Sequence, residues 1–289
     1  MKQKAWIFCL LVFASLAAHA QIDAQPQVSF SNINDAVHKL ESKLMAREMP
    51  YKVILPHGYI DGTLHYPVIY LLHGLWGHYD NWTAKTKVAD YAAQYDVIIV
   101  MPEGGDGWYS DSQTVKNDKY ESYIIQELIP EIDAKYRTLP DRAHRVIAGL
   151  SMGGYGAVKF GLKYPDLFSV VGSFSGVMDA TALDDKVGGK VGASTVPVFG
   201  PKDNKFRRDN DVFGIARPLT ADEVKKVPFI YESCGVDDPY YQGNRAFSAL
   251  LTLKKIPHEF RELPGNHDWA FWDDQVKEFL GVADRILTK

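Results

Sequence analysis

The chain has 289 residues, of which 46% are hydrophobic, 24% charged and 12% aromatic. That composition excludes disordered and fibrous classes, and the length allows one large domain or two small ones. Lys plus Arg number 32 against 36 Asp plus Glu, so the net charge of −4 lacks the basic surplus of a nucleic-acid binder.

Residues 1–20 have the pattern of a secretory signal peptide. Lys2 and Lys4 make a basic start, Ala5 to Ala14 form an apolar run, and Ala18-His19-Ala20 is a small-residue cleavage site. A membrane-spanning helix needs about 20 apolar residues, and neither this run nor any later stretch is long enough. The expected product is a periplasmic or secreted protein cut after Ala20, without stable membrane insertion. Losing Lys2 and Lys4 takes the net charge from −4 to −6. Cys9 leaves with the signal, so Cys234 remains alone and cannot form an internal disulfide. Cys234 ends the apolar pattern VPFIYESC, where a buried inert thiol is expected.

After an N-terminal segment, 21–35, a single domain is expected over 36–289. Met49 to Pro56 (MPYKVILP) reads as a strand with no helix separating it from a neighbour, hence an antiparallel edge. Short apolar runs follow: Pro67–Leu72, Val97–Met101, Arg145–Gly149, Phe168–Phe174, Val227–Cys234 and His258–Leu263. Each is β-branched or aromatic and bounded by Gly, Pro or Asp. Helical patterns fall between and after them, at Val88–Tyr95, Tyr120–Tyr136, Met152–Tyr164, Tyr241–Lys254 and Asp268–Leu287. In Tyr120–Tyr136, Ile124, Ile125, Leu128, Ile129 and Ile132 recur at helical spacing. This alternation predicts an α/β fold, a mostly parallel sheet with helices on both faces. Residues 178–226 break the rhythm. They are rich in Gly, Asp and Lys, and form an excursion over the site or a mobile segment.

The strongest chemical signal is Gly149-Leu150-Ser151-Met152-Gly153, a G-x-S-x-G between a predicted strand and a predicted helix. A sharp turn there lifts the serine hydroxyl above the sheet, and side chains at the glycines would collide with neighbouring elements. The Met152 N–H at the helix start faces a developing oxyanion. A serine needs a base, and the base needs an acid, in the chain order Ser, Asp or Glu, His. Only His258 and His267 follow Ser151. His267 lies in a loop after the last strand, which suits a base, whereas His258 starts a strand. Asp237 and Asp238 both follow the preceding strand. Pro239 fixes Asp238 in extended backbone and favours it, but spacing separates the two only weakly. The second oxyanion donor is expected in His73-Gly74-Leu75-Trp76-Gly77, at the Leu75 N–H, with the His73 side chain structural.

YLLHGLWG, GWYSDS, AGLSMGGYGA, CGVDDPYYQGNRAF and PGNHDWAFW together resemble the esterase D family, most closely its tributyrin-esterase-like bacterial members. The similarity spans about residues 36–287. It implies an α/β-hydrolase fold, with Ser151 as nucleophile, Asp238 as acid, His267 as base, and Leu75 and Met152 as oxyanion donors. Asp238 leans on this resemblance, because the family aspartate stands third after the glycine, here Gly235.

Trp76, Trp82, Trp108, Trp269 and Trp272 fall on or near loops that follow predicted strands, with Tyr109 and Tyr155 close by. Such loops form the ligand crevice of an open α/β sheet. Trp76, Trp108, Tyr155 and Trp269 are the candidate substrate contacts, suited to an aryl group, a sugar ring or a short apolar chain. Asp106, Asp111 and Asp118 do not have the spacing of a calcium loop, and HExxH, CxxC and dinucleotide patterns are missing. No cofactor and no metal are expected.

The function expected is an exported serine carboxylesterase acting on short-chain acyl or aryl esters, with a small-molecule or carbohydrate ester as substrate. An acetyl-xylan or feruloyl esterase of plant cell walls would use the same triad, as would an acyltransferase. A non-enzymatic binding protein on this fold is opposed by the complete triad. An S-formylglutathione hydrolase is disfavoured because its thioester substrate is cytosolic.

Overall fold

The computed structural model describes residues 33–202 and 204–287. The expected signal peptide lies outside the described residues. Eight strands form one sheet: β1 (Ile33–Ser42), β2 (Arg47–Ile54), β3 (Val68–Leu72), β4 (Ile98–Pro102), β5 (Arg145–Leu150), β6 (Val170–Phe174), β7 (Phe229–Gly235) and β8 (His258–Leu263). Their order across the sheet is β1-β2-β4-β3-β5-β6-β7-β8. The first two pairings, β1 with β2 and β2 with β4, are antiparallel. All later pairings are parallel.

Successive strand residues point to opposite faces, and in β3 both faces are apolar. Val68, Tyr70 and Leu72 join one core, and Ile69 and Leu71 the other. Helices cover both. The first core receives α3 (Tyr120–Tyr123), α4 (Ile129–Lys135), α5 (Met152–Lys163) and α10 (Tyr241–Lys254). The second receives α1 (Asn81–Lys85), α2 (Val88–Ala92) and α11 (Trp269–Leu287). Between α3 and α4 lies one π-helical turn, Ile124–Leu128, just before Pro130. A proline inside a helix removes one donor and crowds the preceding turn, and the wider turn accommodates it.

One expectation changes, and the 178–226 segment takes a definite form. The strand expected over Met49 to Pro56 is β2, Arg47–Ile54, which is antiparallel but not an edge, because β1 pairs along its outer side. The 178–226 excursion is mostly helical, with α6 (Gly189–Phe199), α7 (Lys205–Asp209), α8 (Val212–Ala216) and α9 (Ala221–Val224). Among the described residues no helix is long and apolar enough to cross a membrane.

Candidate active site

Ser151 stands between β5 and α5 with φ 53° and ψ −116°. A non-glycine residue there is strained and persists only when its surroundings enforce it. Three hydrogen bonds do so. The Ser151 N–H donates to the Phe174 carbonyl at 2.9 Å, and the Ser151 carbonyl accepts from Tyr155 at 3.1 Å and Val177 at 3.3 Å. The flanking glycines are required by space. A Cβ on Gly149 would lie 2.7 Å from the Gly153 carbonyl, and one on Gly153 would lie 2.6 Å from the Leu72 and His73 carbonyl oxygens.

His267 comes from the loop between β8 and α11, and Asp238 from the turn after β7. Nε2 of His267 is 2.9 Å from Ser151 Oγ, and Nδ1 is 2.8 Å from Asp238 Oδ2. The carboxylate only accepts, so it places the imidazole proton on Nδ1 and leaves Nε2 free to accept the serine proton. Asp238 Oδ1 accepts the Tyr240 N–H at 2.8 Å, and its carboxylate is closed to solvent. The His267 ring sits between Tyr240 and Trp272, each with its centroid 4.9 Å away.

The competing residues lie elsewhere. Asp237 is exposed, and its N–H donates to the Gly265 carbonyl. His258 faces the Ile256 carbonyl and the hydroxyls of Ser248 and Thr252. His73 is fully buried, with Nε2 accepting the Gly104 N–H at 2.9 Å. Burial pushes the Cys234 thiol up to about 12, with Asp238 adding to the effect, so a thiolate there is disfavoured. Asp106, Asp111 and Asp118 serve three different partners, the Trp76 N–H, Ser122 and Arg47.

A cavity of about 270 Å³ opens at Ser151 and His267. Leu75 lines it, and the Gly74 turn presses on Leu150, where a Cβ would approach Cδ1 to 2.5 Å. Met152 holds the first helical position, where an N–H has no intrahelical acceptor. Trp76, Trp108 and Trp269 line the cavity, but in three different ways. Trp76 is 59% exposed at the rim. Trp269 is half-buried, and Trp108 is a fully buried wall whose Nε1 donates to Ser194 Oγ. Tyr155 does not reach the cavity, contrary to expectation. It is fully buried behind Trp108, with ring centroids 5.9 Å apart and its hydroxyl donating to the Asn210 carbonyl. As the fourth residue after the serine on α5, it is turned into the core below the wall. Trp82 is likewise structural, donating to the Leu72 carbonyl.

Lining residues not singled out from sequence include Tyr240, Asn81, Lys85 and Val191. Tyr240 carried a signal, standing two residues after Asp238. Val191 carried none, because it reaches the cavity from the aperiodic excursion.

The family model described as "Putative esterase" matches residues 42–281. The chain is similar to the acetyl esterase of Caldicellulosiruptor saccharolyticus, at 28% identity over 72% of this chain and 79% of that protein. It is also similar to an esterase of Mycobacterium tuberculosis, at 32% identity over 81% of this chain, and spans 55% of that relative's length. Among solved structures it superposes on a ferulic acid esterase with a TM-score of 0.76 and 28% identity, over 87% of this chain and 97% of the other. The architecture is the α/β-hydrolase fold.

Proposed function

The chain belongs to this esterase family and is a serine hydrolase of carboxylic ester bonds; we propose that it is exported and cleaves short-chain acyl or aryl esters through an acyl-enzyme on Ser151. The observation that carries the reading is the unbroken chain from Ser151 Oγ to His267 at 2.9 Å and from His267 to Asp238 at 2.8 Å.

In this proposal Ser151 Oγ attacks the ester carbonyl while His267 Nε2 takes its proton. Asp238 keeps the ring oriented and stabilises the imidazolium. The Leu75 and Met152 N–H groups donate to the tetrahedral oxyanion, where such donors are worth about 3–4 kcal/mol each. His267 returns the proton to the leaving alkoxide, and water, activated by the same imidazole, releases the acid.

Purified protein is expected to hydrolyse p-nitrophenyl acetate or butyrate and to label with a fluorophosphonate probe. Ser151→Ala should lose both, and near wild-type turnover in that variant would overturn the assignment. Export is tested by N-terminal sequencing of protein from a secreting host, where the chain is expected to begin at Gln21.

The aromatic lining and the likeness to a ferulic acid esterase favour one narrower reading, a feruloyl or acetyl esterase of plant polysaccharide. Trp76, Trp269 and Trp272 offer faces and edges suited to an aryl acyl group or a sugar ring. Higher kcat/KM on methyl ferulate or acetylated xylan than on p-nitrophenyl butyrate would select it.

A further inference from the structure

Lys159 is a fully buried lysine on α5, eight residues after Ser151 and so about two helical turns away. A buried ammonium is retained only where donors and charge are satisfied, and this one is. Its Nζ donates to the Tyr109 carbonyl at 2.7 Å, Ser110 Oγ at 2.5 Å, Glu121 Oε2 at 2.8 Å and Asn210 Oδ1 at 3.4 Å. Two of these partners belong to the loop that carries Trp108. In that loop Trp108 and Tyr109 are both left-handed, each with φ 48°. Two adjacent aromatic residues in this region hold stored strain, which needs an external restraint. The loop lies flush against α5, where a Cβ on Gly156 would approach the Tyr109 ring to 2.7 Å.

The loop touches the site at two points. Trp108 walls the cavity. The Tyr109 hydroxyl donates to the His73 carbonyl at 2.9 Å, directly before the Gly74–Leu75 turn. The geometry points to Lys159 as a positioning residue: its ammonium clamps the strained Trp108–Tyr109 pair to the nucleophile helix, and so sets both the aromatic wall and the turn beside Ser151. Asn210 extends the clamp into the excursion, because its carbonyl accepts the Tyr155 hydroxyl at 2.8 Å beneath Trp108. Glu121 is shared, with Lys163 2.5 Å from its second oxygen. Burial opposes its ionisation, but the two ammonium groups outweigh this and hold the carboxyl at about 2. Burial brings the Lys159 ammonium down to about 8 against the pull of Glu121, so it stays mostly protonated at neutral pH.

The role through Leu75 and Ser151 rests on the proposed esterase function. Lys159→Met alone leaves Glu121 held only from its other oxygen, by Lys163 and Tyr164, so the decisive variant is Lys159→Met/Glu121→Gln, which removes both charges of the Lys159–Glu121 pair. It is expected to regain part of the melting temperature lost by Lys159→Met, because the Tyr109 carbonyl, Ser110 and Asn210 remain without their donor. It should still lose about tenfold or more in kcat/KM, because small misplacements near reacting groups cost that much. KM for methyl ferulate should rise, and acrylamide should quench more of the tryptophan fluorescence. Tyr109→Phe, which keeps the ring and the charge pair, should lower kcat several-fold at unchanged KM. A double variant with wild-type kcat/KM and quenching would overturn the proposal, as would full kcat in Tyr109→Phe should the double variant not fold. A wild-type protein that cleaves no ester would sink the esterase reading, while the quenching comparison would still report the hold of Lys159 on Trp108.

Discussion

Asp237 and Asp238 are neighbours in sequence and opposites in environment. Asp238 is buried, with Oδ2 2.8 Å from His267 Nδ1, whereas Asp237 is exposed and meets Gly265 through its backbone N–H. Asp238→Asn would present an amide where the imidazole needs an acceptor and would favour the wrong tautomer. Such a change costs about 10⁴-fold in kcat in a serine protease triad. A fall of about 10³-fold or more is therefore expected for Asp238→Asn on p-nitrophenyl butyrate. Asp237→Asn should stay within about twofold of wild type, as surface changes usually do. Equal losses in the two variants would remove Asp238 from the acid role.

The two histidines after Ser151 separate in the same way. His267 reaches Ser151, while His258 ties the start of β8 to α10 through Ser248 and Thr252. His267→Ala should abolish turnover and also cost stability, because it takes the partner from the buried Asp238 carboxylate. His258→Ala should cost about 1 kcal/mol for lost hydrogen bonds while kcat/KM holds. Thermal melts paired with initial rates decide this, and activity lost in His258→Ala at an unaltered melting temperature would contradict it.

Trp76 and Trp82 are six residues apart, and exposure divides their roles. Trp76 is 59% exposed at the cavity rim, and Trp82 is fully buried with its indole N–H on the Leu72 carbonyl. Trp82→Ala should destabilise by about 3–5 kcal/mol, the range for a large core truncation. Trp76→Ala should barely move the melting temperature but should raise KM for an aryl ester more than for p-nitrophenyl acetate. An unchanged KM ratio between the two substrates would exclude Trp76 from substrate contact.

Elements with a strong local pattern were legible from sequence, and those made by tertiary contact were not. Val68–Leu72 and His258–Leu263 are short β-rich runs, and the structure has strands there. The turn at Ser151 was legible because its glycines are demanded by steric contact with β3. By contrast, β1 (INDAVHKLES) mixes polar and apolar residues, since it is an edge with much of its surface in water. The helix GKVGASTVPVF contains glycines and Pro197 and has little intrinsic helical tendency. It forms by burying Thr195, Val198 and Phe199. Tyr155 stands near the serine in sequence but on α5, and the helical period turns its ring into the core.

Glu232 offers a test of pH dependence with a definite sign. It lies on β7 opposite Ser173, fully buried, and neither carboxyl oxygen has a hydrogen-bond partner among the described residues. Burial raises its folded pKa well above the ordinary glutamate value. A raised folded pKa means that the folded state holds the proton more tightly than the unfolded state does. Its contribution to stability is fully present below the unfolded value, about 4.3, and is lost as pH rises toward the folded value. Wild-type protein should therefore lose stability between pH 5 and pH 8 through this group. Glu232→Gln keeps the shape without the titration. The variant should gain on wild type as pH rises, by at most about 1.4 kcal/mol per pH unit, which reads as a shift of a few degrees in a domain of this size. Melting curves of both proteins at pH 5 and pH 8 measure the difference directly, and parallel pH profiles would show that Glu232 finds a partner that keeps it ionised.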